Sequence, residues 1–594
     1  MQKYAVNQHL IETLLSWVKS EEIAIPEIQR PFVWDATKVR DLMDSLYQGY
    51  PVGYIIAWRN PNVKLKDGQL SEGKKILIDG QQRVTALTAA LLGQYVLSKT
   101  YRRIKIKIAF HPIEKRFEVQ NSAIIKDRSW IADISEISNG SALKMTREYL
   151  KLNPEADEDY IEQSITDLVN IPKKQIGVIE LAPELDIETV TEIFIRINSK
   201  GVVLSQADFA MSKIAADTEN GGNELRKAID YFCRLATTPE FYRSILENDP
   251  VFTETSYFQK IRWLKDENED LYDPDYNDVL RVAFTSKFER GRLSDLVSLL
   301  SGRNFETRSY ELDVAQEAFA KLKRGVIELM NETHFKRFLM IIKSSGFVAS
   351  KMIRSQNAIN FAYVIYLKLK ENHTDPVRIE HFVRRWFVYS ILTGRYSGSP
   401  ESHFDHDIKQ IASRDFAEVL TEREEAELSD AFWNASLPQS LTTSVFSSPY
   451  FHLFLAAQVK ANNKGFLSRD ILVSDLILLR GDVHHLFPKD YLKSYGMDRD
   501  RYNQIANYAY MQSEINIKIG NKAPGVYFDA IQRAFIGSVP AITALRSRGE
   551  LEDNLRANCV PIEMLEMTAD NYDQFLILRR QLMAEKIRDY YRSL

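Results

Sequence analysis

The spacing of hydrophobic and polar positions changes along the chain and separates regions of different secondary structure. Near the N-terminus, residues 74–79 (KKILID) and 104–110 (IKIKIAF) are dense in β-branched residues, which predicts short strands between helical segments. Over about 222–427 the apolar residues recur at every third or fourth position, as in 316–330 and 358–370. That spacing predicts long amphipathic helices. The chain is therefore expected to have a helix-rich α+β fold.

One segment between the regular patterns marks a predicted domain boundary. Residues 434–450 (NASLPQSLTTSVFSSPY) are rich in Ser, Thr and Pro, which favour turns and caps over regular structure. We therefore divide the chain into an α/β domain over 1–221, a helical middle region over 222–433 and a third domain over 434–594. No repeat of fixed period and no low-complexity tract is visible, which excludes solenoid architectures.

Composition and charge narrow the class of protein. No run approaches the roughly 20 apolar residues of a membrane span, and the first residues lack a signal-peptide pattern, so we expect a cytoplasmic protein without a membrane partner. The formal net charge of -4 argues against an overall positive surface but is compatible with a local basic groove. Only Cys233 and Cys559 are present, which excludes a disulfide framework and a cysteine zinc cluster. Any metal must be held by His, Asn or carboxylates.

The main chemical signal lies in residues 481–489 (GDVHHLFPK), which contain the adjacent histidines His484 and His485. Phosphodiester hydrolysis needs a base that activates water and a cation that stabilises the developing charge, and a histidine and a Mg²⁺-type ion supply these. Two asparagines follow, Asn507 and Asn516. A histidine pair by itself is equally compatible with ordinary surface or core histidines, so the interpretation depends on the surrounding residues.

Residues 482–527, with HHLFPKDYL, IANY and INIKIGNKAPGVYF, resemble the HNH (ββα-metal) nuclease family, in the version found in the C-terminal half of GmrSD-like restriction enzymes. The resemblance implies that His485 is the general base and His484 a first metal ligand. It also implies that Asn507 braces the loop carrying the base. Asn516, nine residues further on, would be the second metal ligand from a helix, in place of the more usual histidine. Few protein ligands plus water suit Mg²⁺ or Mn²⁺.

Two further groups of residues in the second half of the chain have open interpretations. Lys489 and Lys522 are candidates for contacts to DNA phosphates, although each is equally compatible with a solvated surface lysine. The polar stretch 395–403, together with Asp405, His406 and Asp407, is either a second metal site or a plain loop followed by a helix cap. The spacing matches no familiar ligand geometry, which favours the loop.

A second cluster in the N-terminal region is the pentapeptide Asp79, Gly80, Gln81, Gln82 and Arg83. It follows a strand-like run and precedes the helix-like VTALTAALLG, so Gly80 is predicted at a strand-to-helix turn. Such a turn directs backbone N–H groups at an anion. Arg83 would clamp a phosphate, Asp79 would hold a metal or polarise a water, and the glutamines would orient that water. The alternative is an Asp-Gly turn whose arginine pairs with a local carboxylate.

Three other segments accompany DGQQR: 25–34 (IPEIQRPFVW), 50–53 (YPVG) and 194–201 (FIRINSKG). Together, over about 10–230, they resemble the N-terminal domain of GmrSD-like enzymes, a relative of the ParB and sulfiredoxin nucleotide-binding fold. The resemblance implies a nucleoside-triphosphate site formed by DGQQR. Further members of this site would be Gln29, Arg30, Asn198, Lys200 and Asp208, and the last three are equally compatible with turn or capping roles.

Both resemblances point to a modification-dependent (type IV) restriction endonuclease in anti-phage defence. They imply that an N-terminal NTPase gates C-terminal cleavage or nicking, with modified phage DNA and a nucleotide as partners. Association into a homo-oligomer or with other defence proteins stays open. Two alternatives also stay open: a nucleic-acid-binding regulatory protein with a vestigial nuclease centre, and an RNA-cutting toxin with the HNH fold.

Overall fold

The fold is known from a computed structural model, which describes residues 3–20, 22–24, 34–58, 75–97, 103–139, 141–185, 189–190, 205–217, 220–267, 271–479, 483–537 and 539–594. The chain forms two compact units. The first contains Met1–Lys265 and Ser294–Ala320, and the second contains Asp266–Leu293 and Lys321–Leu594. Helices dominate and the sheets are small, so the described residues have the predicted helix-rich α+β character. Across these ranges, no helix has both the length and the apolar content to cross a membrane.

The strands described in the first unit are β1 (Tyr4–Leu10), β2 (Ile23–Ala24), β3 (Tyr54–Trp58), β4 (Lys75–Asp79), β5 (Tyr95–Leu97), β6 (Arg103–Lys105), β7 (Ile108–His111), β8 (Arg116–Val119) and β9 (Gln175–Leu181). Five of them form a sheet with the order β1-β9-β3-β4-β2. Strand β9 is antiparallel to β1 and parallel to β3, while β4 is antiparallel to β3 and parallel to β2. Two small hairpins, β5-β6 and β7-β8, lie outside this sheet.

Strand β3 lies inside the sheet, with β9 on one side and β4 on the other. Its sequence YIIAW is buried from the second residue to the last, as expected for a strand covered on both faces. Ile55 and Leu77 belong to the same apolar core as the helices Ile11–Lys19, Ala36–Gln48 and Gln81–Leu92. This core fixes the position at which β4 ends and the DGQQR turn begins.

The other helices of the first unit cover the remaining described segments. The helix Gln206–Ala216 begins with a capping box, in which Ser205 and Asp208 each accept a hydrogen bond from the other's backbone N–H. The remaining α-helices are Ala142–Leu152, Glu158–Val169, Gly222–Thr237, Phe241–Asn248, Pro250–Thr253 and Ser256–Ile261. Two more, Leu293–Leu300 and Leu312–Leu329, each include one of the three points at which the chain passes between the units.

In its described residues the second unit is almost entirely helical, with a two-stranded sheet formed by β10 (Val483–His485) and β11 (Tyr508–Tyr510). The predicted run 358–370 lies in the helix Gln356–Glu371, and the run 316–330 lies in the helix Leu312–Leu329 except for its last residue, Met330. The other α-helices of this unit are Tyr276–Phe288, Glu332–Ser344, Pro376–Leu392, Pro400–Ser413, Phe416–Glu427, Leu437–Ser440, Pro449–Lys460, Val473–Leu478, Lys489–Ser494, Arg499–Tyr502, Ser513–Ile519, Pro524–Phe535, Arg548–Ala557 and Tyr572–Arg592.

The predicted strand 104–110 is two strands in the structure. Strand β6 pairs with β5, whereas β7 pairs with β8, so the chain changes its pairing partner at Ile106 and Lys107. Ile106 is buried, and the Lys107 ammonium lies 3.2 Å from the carboxylate of Asp133. Both side chains have tertiary partners at the break. The alternation of apolar and polar residues continues through this break, so the pattern did not predict it.

The predicted irregular segment 434–450 begins as helix. A wide π-helical turn, Phe432–Ser436, continues into Leu437–Ser440, and the segment is irregular only from Leu441 to Ser448. Leu437 is fully buried and the Trp433 ring lies 5.9 Å from that of Tyr591. This packing outweighs the weak helix preference of Ser and Thr. Proline is tolerated here because it lies in the first turn of the second helix.

The acidic and histidine side chains at the end of the polar stretch 395–407 are paired with basic side chains. The helix Pro400–Ser413 includes its second half, so Asp405, His406 and Asp407 lie on a helix and not in a loop. Each of the three side chains bonds to a basic side chain: Asp405 to Lys409 (2.6 Å), His406 to Arg423 (2.6 Å) and Asp407 to Arg395 (2.6 Å). No cluster of three His, Cys, Asp or Glu side chains suited to a metal occurs in the described ranges.

Candidate active site

The histidine pair lies on β10, whose partner β11 carries the residues that follow Asn507. The strands are antiparallel, with His484 opposite Ala509 and His485 opposite Tyr508. Because adjacent residues of a strand face opposite sides, the two imidazoles project to different faces. After β11 the chain enters the helix Ser513–Ile519, which carries Asn516. The segment therefore has the order strand, strand, helix.

His485 is half-buried among polar and aromatic groups. Its Nε2 lies 2.9 Å from Oδ1 of Asn503, and its ring centroid lies 5.1 Å from that of Tyr508 and 6.1 Å from that of Tyr502. Burial lowers the pKa of His485 below its usual value, and the positive charge of Lys489 acts in the same direction. The Asn503 hydrogen bond opposes this shift. The imidazole is therefore biased toward the neutral form that accepts a proton.

Asn507 is fully buried and bonds to two separate stretches of backbone. Its Oδ1 accepts from the N–H of Phe487 (2.8 Å), and its Nδ2 donates to the carbonyls of Phe487 and Tyr502 (3.1 Å each). Its own carbonyl accepts from the N–H of Leu486 at 2.8 Å. Three of these hydrogen bonds tie the segment directly after His485 to Asn507, and the fourth joins Asn507 to Tyr502.

More distant residues of the second unit hold the same two segments. The Tyr527 hydroxyl donates to the carbonyl of Leu486 (3.1 Å), and Nη1 of Arg579 donates to the carbonyl of Ala506 (2.8 Å). Arg579 is fully buried, and burial lowers its pKa to about 10. Neither side chain has a role in the predicted motifs. Arg579 lies on the C-terminal helix, far along the chain from any motif, so no local signal pointed to it.

The predicted metal ligands are one imidazole nitrogen and one amide oxygen, from His484 and Asn516. Both residues are half-buried. Such a sparse set leaves coordination positions for water and phosphate oxygens, which fits Mg²⁺ or Mn²⁺. In the described ranges the chain assembles no cluster of three His, Cys, Asp or Glu side chains, as a zinc cage would require.

The two lysines proposed for phosphate contact are both exposed. The Lys489 ammonium lies 5.9 Å from the centroid of the Tyr502 ring, the same ring that lies near His485. The Lys522 ammonium donates to the carbonyl of Lys518 (2.8 Å), just after the helix that carries Asn516. Lys489 therefore shares a ring neighbour with His485, whereas Lys522 follows the helix of the predicted metal ligand in sequence.

In the first unit, DGQQR forms a strand-to-helix turn. Asp79 ends β4, Gly80 has φ of +90°, and the helix Gln81–Leu92 begins at the next residue. A Cβ on Gly80 would lie 2.9 Å from Cγ1 of Ile55 on β3. Glycine is thus required both by the backbone conformation and by the close approach of β3.

Arg83 connects this turn to the YPVG segment that leads into β3. Its Nη1 donates to the carbonyl of Tyr54, and its Nη2 lies 3.7 Å from the carboxylate of Asp79. Gly53 has φ of +83°, and a Cβ added there would lie 3.4 Å from the guanidinium carbon. The two predicted motifs therefore meet at Arg83. The alternative of a local ion pair describes part of this geometry, since Asp79 is the paired carboxylate.

The other predicted nucleotide-site residues are placed as follows. Gln81 donates to the carbonyl of Leu77 (3.2 Å), and the Gln82 amide oxygen accepts from the N–H of Trp34 (3.4 Å). Asp208 accepts from the N–H of Ser205 (2.7 Å) as part of the capping box, which is the capping role left open above. Four predicted members lie outside the described residues: Gln29, Arg30, Asn198 and Lys200.

Comparison with known proteins gives two matches. Residues 11–215 match the family model described as GmrSD restriction endonuclease, N-terminal domain. This range includes β3, β4, β9 and the DGQQR turn. The uncharacterized protein MJ0686 of Methanocaldococcus jannaschii is 21% identical over 639 residues, an alignment that covers 98% of this chain and 98% of the relative. The similarity to the relative thus extends over both units, while the family match lies within the first.

Proposed function

We propose that this protein is a nucleotide-regulated, metal-dependent DNA endonuclease that acts on modified foreign DNA such as phage DNA. Two observations support the proposal from different parts of the chain. The match of residues 11–215 to a restriction-endonuclease domain supports the class of enzyme. The observation that carries the proposed chemistry is the tethering of the segment after His485 by Asn507 within a strand, strand, helix arrangement. This is the arrangement that an HNH centre requires.

In the proposed reaction His485 is the general base. Its imidazole takes a proton from water, and the water oxygen then forms a bond to phosphorus while the bond from phosphorus to the leaving sugar oxygen breaks. Asn507 acts through the backbone, since it fixes the segment that follows the base. Lys489 and Lys522 would attract the phosphates that flank the cut.

The proposed cofactor is Mg²⁺ or Mn²⁺. His484 and Asn516 would hold it, and the ion would supply positive charge for the phosphate oxygens and the leaving group. The proposed role of Asn516 places a neutral amide oxygen in the ligand set, which leaves more net positive charge on the ion than a carboxylate would.

The N-terminal domain, over 1–221, is proposed to bind and hydrolyse a nucleoside triphosphate at the turn formed by Asp79, Gly80, Gln81, Gln82 and Arg83. Nucleotide binding would activate or inhibit the nuclease in the third domain, over 434–594. Such a gate protects host DNA, and it requires that the nucleotide bind the two nuclease states with different affinity. The glycine turn at the start of a 12-residue helix suits an anionic ligand.

Two other candidate functions use the same residues. A nucleic-acid-binding regulator would retain the fold of the histidine segment without cleavage. An RNA-cutting toxin would keep the chemistry but prefer a different substrate. The buried, tethered Asn507 favours a centre that still depends on accurate geometry, and the restriction-endonuclease match favours DNA.

The test is a cleavage assay on modified phage DNA, unmodified plasmid DNA and RNA, with and without Mg²⁺ or Mn²⁺ and with and without nucleoside triphosphates. The wild-type protein should cut DNA only when metal is present, and His485→Ala should lose cleavage while it keeps nucleotide hydrolysis. His373→Ala, which removes an exposed histidine from a turn of the second unit, is the matched control and should cut normally. Cleavage by His485→Ala within a few-fold of wild type would exclude the assignment.

A further inference from the structure

We propose that Asn503 is a positioning residue that fixes the tautomer and the ring orientation of His485. This inference rests on the proposed function, because it assigns a partner to the proposed base. Asn503 has no role in the motif resemblance, although it lies only four residues before Asn507. The assignment comes from the contact between the Asn503 side chain and the imidazole.

The contact has one chemical consequence. The side-chain oxygen of Asn503 lies 2.9 Å from Nε2 of His485, and an amide oxygen can only accept a hydrogen bond. Nε2 must therefore carry the proton. The unprotonated electron pair of the neutral ring is then on Nδ1, so Nδ1 is the atom available to take a proton from water.

Asn503 is itself held in place. It follows the short helix Arg499–Tyr502, and its N–H donates to the carbonyl of Arg499 at 3.1 Å. On one side, the carbonyl of Tyr502 accepts from Asn507 and from the hydroxyl of Tyr572. On the other side, the backbone carbonyl of Gln504 accepts from the N–H of Asn507 (2.8 Å). The acceptor oxygen is therefore presented by a backbone that is bonded on both sides.

The other groups around this imidazole do not duplicate the contact. The rings of Tyr502 and Tyr508 contact it edge-to-face, at interplanar angles of 64° and 85°. Lys489 contributes only a positive charge at longer range. Within the described residues, Asn503 provides the one side-chain hydrogen bond to His485. Without the Asn503 hydrogen bond, the imidazole of His485 would lose the contact that fixes its orientation, and its proton could occupy either ring nitrogen.

In the proposed step the proton of the water passes to Nδ1, and the water oxygen forms the new bond to phosphorus. The bond from phosphorus to the leaving sugar oxygen breaks, and that oxygen takes its proton from solvent. The ring then carries protons on both nitrogens, and the Asn503 oxygen still accepts from Nε2. The contact therefore holds the base in one orientation before and after the transfer.

Three variants of the full chain test the proposal: Asn503→Leu removes the acceptor, Asn503→Asp retains an acceptor oxygen, and Gln504→Leu is the matched control on the same turn. Gln504→Leu loses the bonds to Arg580 and to the Asp500 carbonyl but does not touch His485. In metal-dependent nicking of supercoiled plasmid, Asn503→Leu should lower kcat about ten- to a hundredfold with KM unchanged. Asn503→Asp should recover most of this loss, and Gln504→Leu should stay near wild type.

A second readout does not depend on cleavage. Nitrogen-15 spectra of histidine-labelled protein distinguish the two tautomers of a neutral imidazole, and His485→Ala identifies the signal. Wild type should show the Nε2–H form, and Asn503→Leu should show a mixture of both forms. The proposal is overturned by an Nδ1–H signal in wild type, by normal kcat in Asn503→Leu, or by equal losses in Asn503→Leu and Gln504→Leu. If wild type cuts no nucleic acid, the proposed function fails, while the spectra still decide the role of Asn503.

Discussion

Replacing Asn507 with alanine tests how far the histidine segment depends on one buried amide. The change removes three side-chain hydrogen bonds and leaves the N–H and carbonyl of Phe487 and the carbonyl of Tyr502 without these partners. A buried hydrogen bond contributes about 1 kcal/mol net, and an unsatisfied buried partner costs about 1–3 kcal/mol. If each of the three bonds contributes only about 1 kcal/mol, the free energy of local opening falls by about 3 kcal/mol. The equilibrium constant for local opening then rises roughly a hundredfold.

The measurement is hydrogen exchange by mass spectrometry on the full chain, with peptides that cover 483–495. The amide of Phe487 donates directly to Asn507, so its exchange should be about a hundredfold faster in Asn507→Ala, if exchange follows local opening. Metal-dependent nicking per folded molecule should fall as well, because the segment that follows His485 loses its tether. Normal exchange at Phe487 together with normal nicking would refute the bracing role.

Asn554 provides a matched control in the same unit. It is also buried and also makes three side-chain hydrogen bonds to backbone: it accepts from the N–H of Leu467 and donates to the carbonyls of Gly465 and Ser468. Asn554→Ala should therefore lose similar stability but speed up exchange at Leu467 and not at Phe487. If both variants open the same peptides, the effect of Asn507→Ala is general destabilisation and not local bracing.

Two further predictions concern the proposed metal and nucleotide sites. Asn516→Ala should weaken metal binding, so that remaining nicking requires higher Mg²⁺ or Mn²⁺; an unchanged metal titration would show that Asn516 is not a ligand. Arg83→Lys keeps the charge but loses the two-pronged guanidinium, so the rate of nucleoside-triphosphate hydrolysis should fall markedly with little change in melting temperature. The hydrolysis rate of Arg83→Ala should be lower still. If Arg83 serves only its contacts with Asp79 and Tyr54, both variants should instead melt earlier and keep their turnover per folded molecule.

The Arg83 geometry makes this last comparison informative. The guanidinium bonds one backbone carbonyl and lies near one carboxylate, and it has five N–H donors, so these contacts do not exhaust its capacity. A guanidinium already held against β3 would meet a phosphate with little loss of side-chain entropy. The structural contacts and the proposed nucleotide contact are therefore compatible, and the paired measurement of melting temperature and hydrolysis separates their contributions.

Local sequence was sufficient for the elements whose signals come from adjacent residues. The strand before Asp79, the turn at Gly80 and the helix after it follow from β-branched residues, a glycine and a run of helix formers. The long helices of the second unit follow from apolar spacing in the same way, with the helix Gln356–Glu371 as the example. Neighbouring residues determine both the positive φ at Gly80 and the face of each amphipathic helix that is buried.

Other predictions were only partly correct, because distant residues decided the outcome. The stretch 434–440 has a composition typical of loops, but Leu437 is buried in a helix and Trp433 packs near Tyr591, more than 150 residues later. Residues 104–110 have a uniform strand pattern, but the chain changes its partner strand within it. Propensity contributes less than about 1 kcal/mol per residue, whereas burial of a large apolar side chain contributes about 1.5–3 kcal/mol, so packing prevails.

The sequence by itself determined which residue types are available for the proposed chemistry: the histidine pair, the asparagines and the DGQQR pentapeptide. Tertiary structure alone decided which of them touch. It placed Asn503 against His485, Asn507 against the Phe487 backbone, and Arg83 beside Gly53. It also brought Arg579 from the C-terminal helix to the turn before β11. The physical reason is that a hydrogen bond requires its two atoms to lie within about 3 Å, and for residues far apart in sequence only the packing of the whole unit sets that distance.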